Sequence, residues 1–256
     1  MSNLYLESAL VVLVYMHLAM VVAFAKKDNG LVDVFWGGGF SVLAWYLHFY
    51  YPHTYSLLVA VLITIWGLRL STYIGLRNHR KKQEDWRYAK WREDWGRWFY
   101  LRSWGQVFLL QGFFMWVVAL GIQQRPAGMG LFWYQYLGIG LWLFGLLWES
   151  IADAQLYRFK ARPENKGKIM MRGLWKLSRH PNYFGEAVLW WGIFLLVLPW
   201  GQWYWSCLGA ATMTWLLTRV SGVPFLEWKY REHPEYQAYI RNTPAFIPDL
   251  RKLFSD

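Results

Sequence analysis

The sequence has little of what would place it among disulfide-stapled or soluble nucleotide-binding proteins. A single cysteine, Cys207, stands among 256 residues. That count excludes an internal disulfide and a metal-thiolate cluster, and leaves packing within an apolar run as the thiol's ordinary role. Charged residues are scarce at 17%, and the acids, 16 against 27 bases, are scarcer still. No stretch rich in proline, glycine and serine is long enough to separate soluble domains, so one integral membrane domain over 1–256 is expected. No glycine-rich turn lies between a strand pattern and a helix, so the dinucleotide fingerprint of doubly wound sheets is missing. No periodic aromatic and basic surface suits a nucleic-acid strand, although the formal charge is +11. The first apolar run lacks a positive leader and a small-residue cleavage site, and reads as a retained anchor.

What is abundant is apolar and aromatic surface, 56% and 21% of the residues. Apolar runs near 4–25, 31–50, 56–76, 103–122, 131–150, 183–199 and 203–220 each approach the roughly 20 residues that cross about 30 Å of hydrocarbon. The pattern predicts an all-α polytopic membrane protein with seven transmembrane helices and cytoplasmic loops closing a pocket. The run 183–199, bounded by Pro181 and Pro199, crosses only if its helix starts at or before Tyr183.

Positive charge gives the orientation. The segment 77–102 carries nine Lys and Arg residues, among them Arg77, Lys82, Arg87 and Arg92, and 158–179 carries eight. With seven crossings both lie on one side with Lys26, Lys27 and the C-terminal tail, whereas the opposite connections hold one base, Arg125. The positive-inside rule predicts a bacterial inner-membrane protein with a periplasmic N-terminus and a cytoplasmic C-terminus. Membrane lipids are the partners this charge implies, and no obligate protein partner is evident. The stretch Glu84–Trp95 mixes aromatics with charge and suits a headgroup layer.

Polar residues inside or beside the apolar runs are the candidate chemistry. Asp33 follows an Asp28–Gly30 turn; it can cap the second helix or serve a site, and Trp36 shares its face. Arg69, Tyr73 and Arg77 recur every four residues as a polar stripe, and the deep Arg69 needs a partner, for which Asp33 is the candidate. Glu149 and Asp153, also four apart, can divide proton-transfer roles or pair with neighbouring arginines. Farther on, Leu177-Ser-Arg-His-Pro-Asn-Tyr-Phe-Gly-Glu186 places Pro181 in the first turn of a helix with His180 or Asn182 outside it. His180 and Asn182 can orient a nucleotide while Glu186 fixes that arrangement. A metal role is weak, because His180 and Glu186 are six positions apart and no second histidine completes a zinc pattern. Arg231 and Arg241 of the tail can close over an anionic cofactor, or simply snorkel.

At Leu31-Val-Asp33-Val-Phe-Trp36-Gly, Trp66-Gly-Leu-Arg69-Leu-Ser, the segment Leu177–Glu186 and the tail Ala245-Phe-Ile-Pro248, the chain resembles the steroid 5-alpha-reductase-like membrane family, in particular its bacterial branch. The Arg-His-Pro-Asn-Tyr motif marks the superfamily more than the reaction, since isoprenylcysteine-type methyltransferases have similar C-terminal bodies. The resemblance implies a seven-helix enzyme that binds NADPH. By position it implies Asp153, Lys160, Arg172, Arg179, His180, Asn182, Glu186, Tyr230, Arg231 and Arg241 as cofactor-region residues. In steroid-reducing relatives a glutamate and a tyrosine from earlier helices polarise the enone carbonyl. Asp33 is the candidate for the acid, but Ile65–Arg69 offers no tyrosine, which weakens a steroid substrate more than it weakens cofactor binding.

The reaction so implied is hydride transfer from NADPH to a conjugated carbon-carbon double bond in a lipophilic enone, with Asp33, Arg69 or Tyr73 on the carbonyl and Trp36 and Trp66 lining an apolar path. An S-adenosylmethionine-dependent membrane methyltransferase and a non-enzymatic lipid-binding or transport protein are the alternatives.

Overall fold

The computed structural model describes residues 2–81, 84–124, 132–200 and 202–254; Lys82 and Arg125 of the charge argument lie outside the described residues. Among those described there are helices and no strands. The helices are α1 (Ser2–Lys26), α2 (Leu31–Tyr50), α3 (Ser56–Lys81), α4 (Trp86–Trp95), α5 (Phe99–Ser103), α6 (Leu110–Val118), α7 (Trp133–Ala161), α8 (Leu174–Leu177), α9 (Pro181–Val197), α10 (Trp203–Trp215), α11 (Val223–Tyr230) and α12 (Pro234–Asn242).

Four helical stretches are long and apolar enough to cross a membrane: Asn3–Lys26, Ser56–Arg80, Trp86–Gln123 and Trp133–Ala161. Each of the seven apolar runs is helical over most of its described residues, but α2 is diluted by three consecutive glycines and Asp33, and α9 has 17 residues. The third stretch has 38 residues, which at about 1.5 Å per residue is about 57 Å, well beyond a hydrocarbon core. Its charged first turns, α4, are therefore the portion that belongs outside the core. Asp85 starts α4 by accepting from the Arg87 backbone N–H at 3.2 Å.

Internal contacts divide the chain into two compact units, Met1–Met129 with Pro199–Ser206, and Gly130–Leu198 with Cys207–Asp256. In the first unit α2 packs on α3 where Gly37 meets Gly67: a Cβ on Gly37 would stand 2.5 Å from the Gly67 carbonyl oxygen. In the second, α7 and α9 approach at two points seven residues apart on each helix. A Cβ on Gly138 would stand 2.7 Å from the Gly192 oxygen, and one on Gly145 would stand 2.5 Å from the Gly185 oxygen. Small residues at this spacing let two backbones touch over two helical turns, which is how helices gain van der Waals contact where lipid supplies no hydrophobic drive. Glu149 and Asp153 of α7 are carried inward by this packing, at 2% and 3% exposure.

Gly185→Ala is expected to destabilise the chain by about 1–3 kcal/mol, because its methyl would stand 2.7 Å from the Glu149 nitrogen. Gly140→Ala, on the same α7 but with nothing within 4 Å, is expected to leave the unfolding midpoint in detergent unchanged or slightly raised. Equal midpoints for the two variants would contradict the close approach.

Candidate functional site

In the first unit the polar residues collect around the start of α2. The turn after α1 is closed by the Asp28 carboxylate, which accepts from the Gly30 N–H at 2.9 Å. Asn29, 1% exposed, donates its backbone N–H to Glu84 Oε1 and its side-chain amide to Ser103 Oγ, both at 2.8 Å. Asp33 does not cap α2. One of its oxygens accepts from Arg87 Nη2 at 2.5 Å and the other from the Tyr88 hydroxyl at 3.0 Å. Arg87 also donates through Nε to Asp85 at 2.9 Å, so one guanidinium bridges two carboxylates. Gln111 of α6 donates a long 3.5 Å bond to the Tyr88 hydroxyl.

Asp33 therefore takes Arg87 of α4 as its partner in place of the expected Arg69. Arg69 lies over the Tyr73 ring, 5.8 Å from its centroid. Trp36 and Trp66 both meet Phe40 edge to face, at 5.3 and 5.5 Å, and Trp66 is fully buried there. Tyr88, absent from the sequence-based candidates, is 2% exposed. Its only sequence signal is the Asp85 cap, which says that a helix starts there and nothing about Asp33.

The second unit gathers its polar residues at the N-terminus of α9. Pro181 occupies the first turn and His180 precedes it, as the sequence predicts. Asn182 donates to Asp153 Oδ1 of α7 at 3.1 Å, and Glu186, one turn later, is buried. Ahead of α9, α8 is docked on α7 by the Trp175 indole, which donates to the Ala152 carbonyl at 3.0 Å. Gln155 accepts from the Leu174 N–H at 3.0 Å.

Arg179, 8% exposed, does not stand open to a phosphate. Its Nε and Nη2 donate to Glu227 Oε1 of α11 at 3.1 and 2.5 Å. Its Nη1 donates to the Ile240 carbonyl at 3.2 Å and to that of Thr243, and its backbone N–H to Pro244 at 2.9 Å. Ser178 Oγ bonds the Ala245 and Phe246 carbonyls at 3.2 and 2.9 Å, and the Asp249 N–H returns to the Leu177 carbonyl at 2.9 Å. Residues 243–249 thus form a strap across 177–180. Glu227 is the second residue missing from the sequence-based set.

His180, next in the chain, is 2% exposed and stacks on Tyr183 at 5.5 Å. Its Nε2 is 3.7 Å from Glu227 Oε1, an electrostatic approach too long for a hydrogen bond, and neither ring nitrogen has a hydrogen-bond partner. The Asn182 side-chain oxygen is likewise buried without one. Such atoms cost free energy unless something polar meets them, so these residues fit a ligand with donors and acceptors, such as a nicotinamide carboxamide. Burial holds the His180 pKa below its ordinary 6.5. The neighbouring His180 and Arg179 hold the Glu227 carboxyl below its ordinary 4.5.

The remaining sequence candidates lie farther out. Lys160, Arg172 and Arg241 are exposed. Arg231 pairs with Glu232 at 3.2 Å and covers Trp228 at 4.3 Å, and Tyr230 packs on Tyr236 at 5.5 Å. Asp153, Arg179, His180, Asn182 and Glu186 are brought together by α7, α9 and the strap; the four outer cations are not held in that group.

The family profile described as "Protein of unknown function (DUF1295)" matches residues 19–243. A very-long-chain enoyl-CoA reductase of Dictyostelium discoideum is 32% identical over 120 residues, 45% of this chain and 36% of that protein. Steroid 5-alpha-reductase DET2 of Gossypium hirsutum is 32% identical over 99 residues, 35% and 38% of the two chains. The 3-oxo-5-alpha-steroid 4-dehydrogenase 1 of Homo sapiens is 31% identical over 117 residues, 46% and 39%. The chain spans 36% to 39% of the length of these relatives. No solved structure is a significant match.

Both folded-state pKa values fall below the unfolded ones, so the unfolded chain binds more protons and stability rises with pH. The His180 contribution is complete above about 6.5 and that of Glu227 above about 4.5, each lost as pH falls through the lower folded value. Glu227→Gln is expected to flatten the acid limb of the unfolding midpoint below pH 4.5, with the limb nearer His180's range retained. An unchanged acid limb in that variant would contradict the assignment.

Proposed function

Because this chain belongs to the DUF1295 family and is steroid 5-alpha-reductase-like, we propose that it is an NADPH-dependent membrane oxidoreductase that reduces the carbon-carbon double bond of a lipophilic enone. The observation that carries this reading is the buried polar group at the N-terminus of α9, where His180 and Asn182 keep polar atoms without protein partners. Names of relatives that specify enoyl and 5-alpha-steroid reductases support the reaction class. Seven crossings, with segments 77–102 and 158–179 on the cytoplasmic face of a bacterial inner membrane, would give the cofactor its aqueous approach.

NADPH, when bound, would supply the hydride that adds to one carbon of the double bond, with a proton from water completing the other. Asn182, oriented by Asp153, and Glu186 and His180 would bind the nicotinamide end. Arg179 would act at one remove by keeping the strap in place, while Lys160, Arg172, Tyr230, Arg231 and Arg241 would meet the nucleotide's phosphates and rings. In the other unit Arg87 and the Tyr88 hydroxyl both donate to Asp33, so Asp33 would position its neighbours, and Arg69 and Tyr73 would be the donors to an acceptor carbonyl; Trp36 offers an apolar wall.

Purified protein is expected to bind NADPH in preference to S-adenosylmethionine, with affinity about tenfold weaker in Asn182→Ala, a loss of about 1.4 kcal/mol. Selective S-adenosylmethionine binding would replace the reductase by a methyltransferase, and binding of neither cofactor by folded protein would favour a lipid-binding protein. Tyr73→Phe is expected to lower turnover on a lipid-enone panel roughly a hundredfold while NADPH affinity holds; undiminished turnover would remove Tyr73 from the reaction.

A further inference from the structure

Beyond the strap, Leu250–Leu253 forms a 3-10 turn started by Asp249, whose carboxylate accepts from the Arg251 N–H at 3.2 Å. With three residues per turn, Leu250 and Leu253 share one face, Arg251 and Phe254 a second, and Lys252 takes the third. The third face is anchored: Lys252 Nζ donates to Thr243 Oγ1 at 2.9 Å and to the Asn242 carbonyl. The others point outward, with Leu250 at 55%, Leu253 at 60% and Phe254 at 91% exposure, and nearby Ile247 at 71%. Four large apolar side chains laid open within eight residues are costly in water and ordinary at a membrane interface.

Beside this turn lies a cavity of about 270 Å³ lined by Met171, Lys176, Tyr239, Asn242, Thr243 and Lys252. Two ammonium groups with an amide and a hydroxyl match the charge and the acceptor oxygens of a phosphate. The cavity is close to the bilayer along the chain, since Lys176 sits in α8 and the apolar α9 begins at Pro181. The turn is fastened to the same place by the Asp249–Leu177 backbone bond.

We propose that the C-terminal turn is a lipid-docking hook: Leu250, Leu253 and Phe254 enter the headgroup-acyl boundary, and Lys176 and Lys252 hold the phosphate of an anionic phospholipid in the cavity between them. The apolar face supplies depth and the lysines supply selection for lipid charge, each adding attraction near a negative surface. Leu250, Leu253, Phe254, Lys176 and Lys252 are not among the residues that the reductase reading sets against cofactor or acceptor, so the hook is tested apart from that reading.

The test is a nitroxide at position 254 in the full chain, in a Cys207→Ser, Phe254→Cys background, reconstituted in nanodiscs of phosphatidylcholine with or without phosphatidylglycerol. With phosphatidylglycerol the label is expected to become more accessible to oxygen than to an aqueous nickel chelate. Lys176→Glu, which leaves the Lys252 anchor bonds in place, and Lys176→Glu with Lys252→Glu are each expected to return it to water. A label equally water-exposed in both lipids would overturn the proposal. So would a label equally deep after charge reversal. The acetylation rate of Lys176 and Lys252 separates the phosphate sources: it is expected to slow with phosphatidylglycerol. Slowing by inorganic phosphate in phosphatidylcholine discs, without a response to phosphatidylglycerol, would assign the cavity to a soluble anion and overturn it.

Discussion

A guanidinium withdrawn from water must find partners for its donors, and Arg179 finds them in the tail. Desolvating such a charge costs several kcal/mol, offset here by the Glu227 carboxylate and the Ile240 and Thr243 carbonyls. Those bonds, with the Ser178 hydroxyl on Ala245 and Phe246, fix residues 243–249 across the segment before α9. The depressed proton affinity of His180 follows from its burial, and that of Glu227 from the His180 and Arg179 beside it. An arginine free to meet a phosphate would leave the tail unfastened. The residue that looks most like an anion ligand is thus better placed to fasten the tail than to touch what enters the site.

The first unit solves a similar problem with the signs exchanged. Asp33, an acid next to an apolar helix, is held by Arg87 and Tyr88, and Arg87 is shared with Asp85. A carboxylate so compensated costs little to withdraw from water. It also fixes the direction of the Tyr88 hydroxyl, whose proton is given to Asp33. The glycine approaches, Gly37 with Gly67 and Gly145 with Gly185, bring backbones close enough for these side chains to sit at fixed places on their helices.

Much of the architecture was legible from local pattern. The apolar run 31–50 coincides with α2, and Pro181 with His180 ahead of it opens α9, because hydrophobic length and proline geometry are local properties. Asp153, His180, Asn182 and Glu186, which the family resemblance names together, are grouped by α7 and α9. The pairings were not legible. Arg179 meets Glu227 across 48 positions and Asp33 meets Tyr88 across 55, and no periodicity reports which of many charges will be neighbours. Tyr88 was hidden in a stretch whose mixture of charge and aromatics reads as headgroup surface, although its own side chain is buried.

The central proposal is that His180, Asn182 and Glu186, next to the segment that Arg179 and the strap hold in place, bind NADPH. Amide hydrogen exchange in the full chain, with and without NADPH, tests it most directly. NADPH should slow exchange in 178–186 and in the strap 243–249 together, and the joint protection should vanish in Arg179→Met. Protection confined to other segments, or equal in wild type and Arg179→Met, would contradict the account.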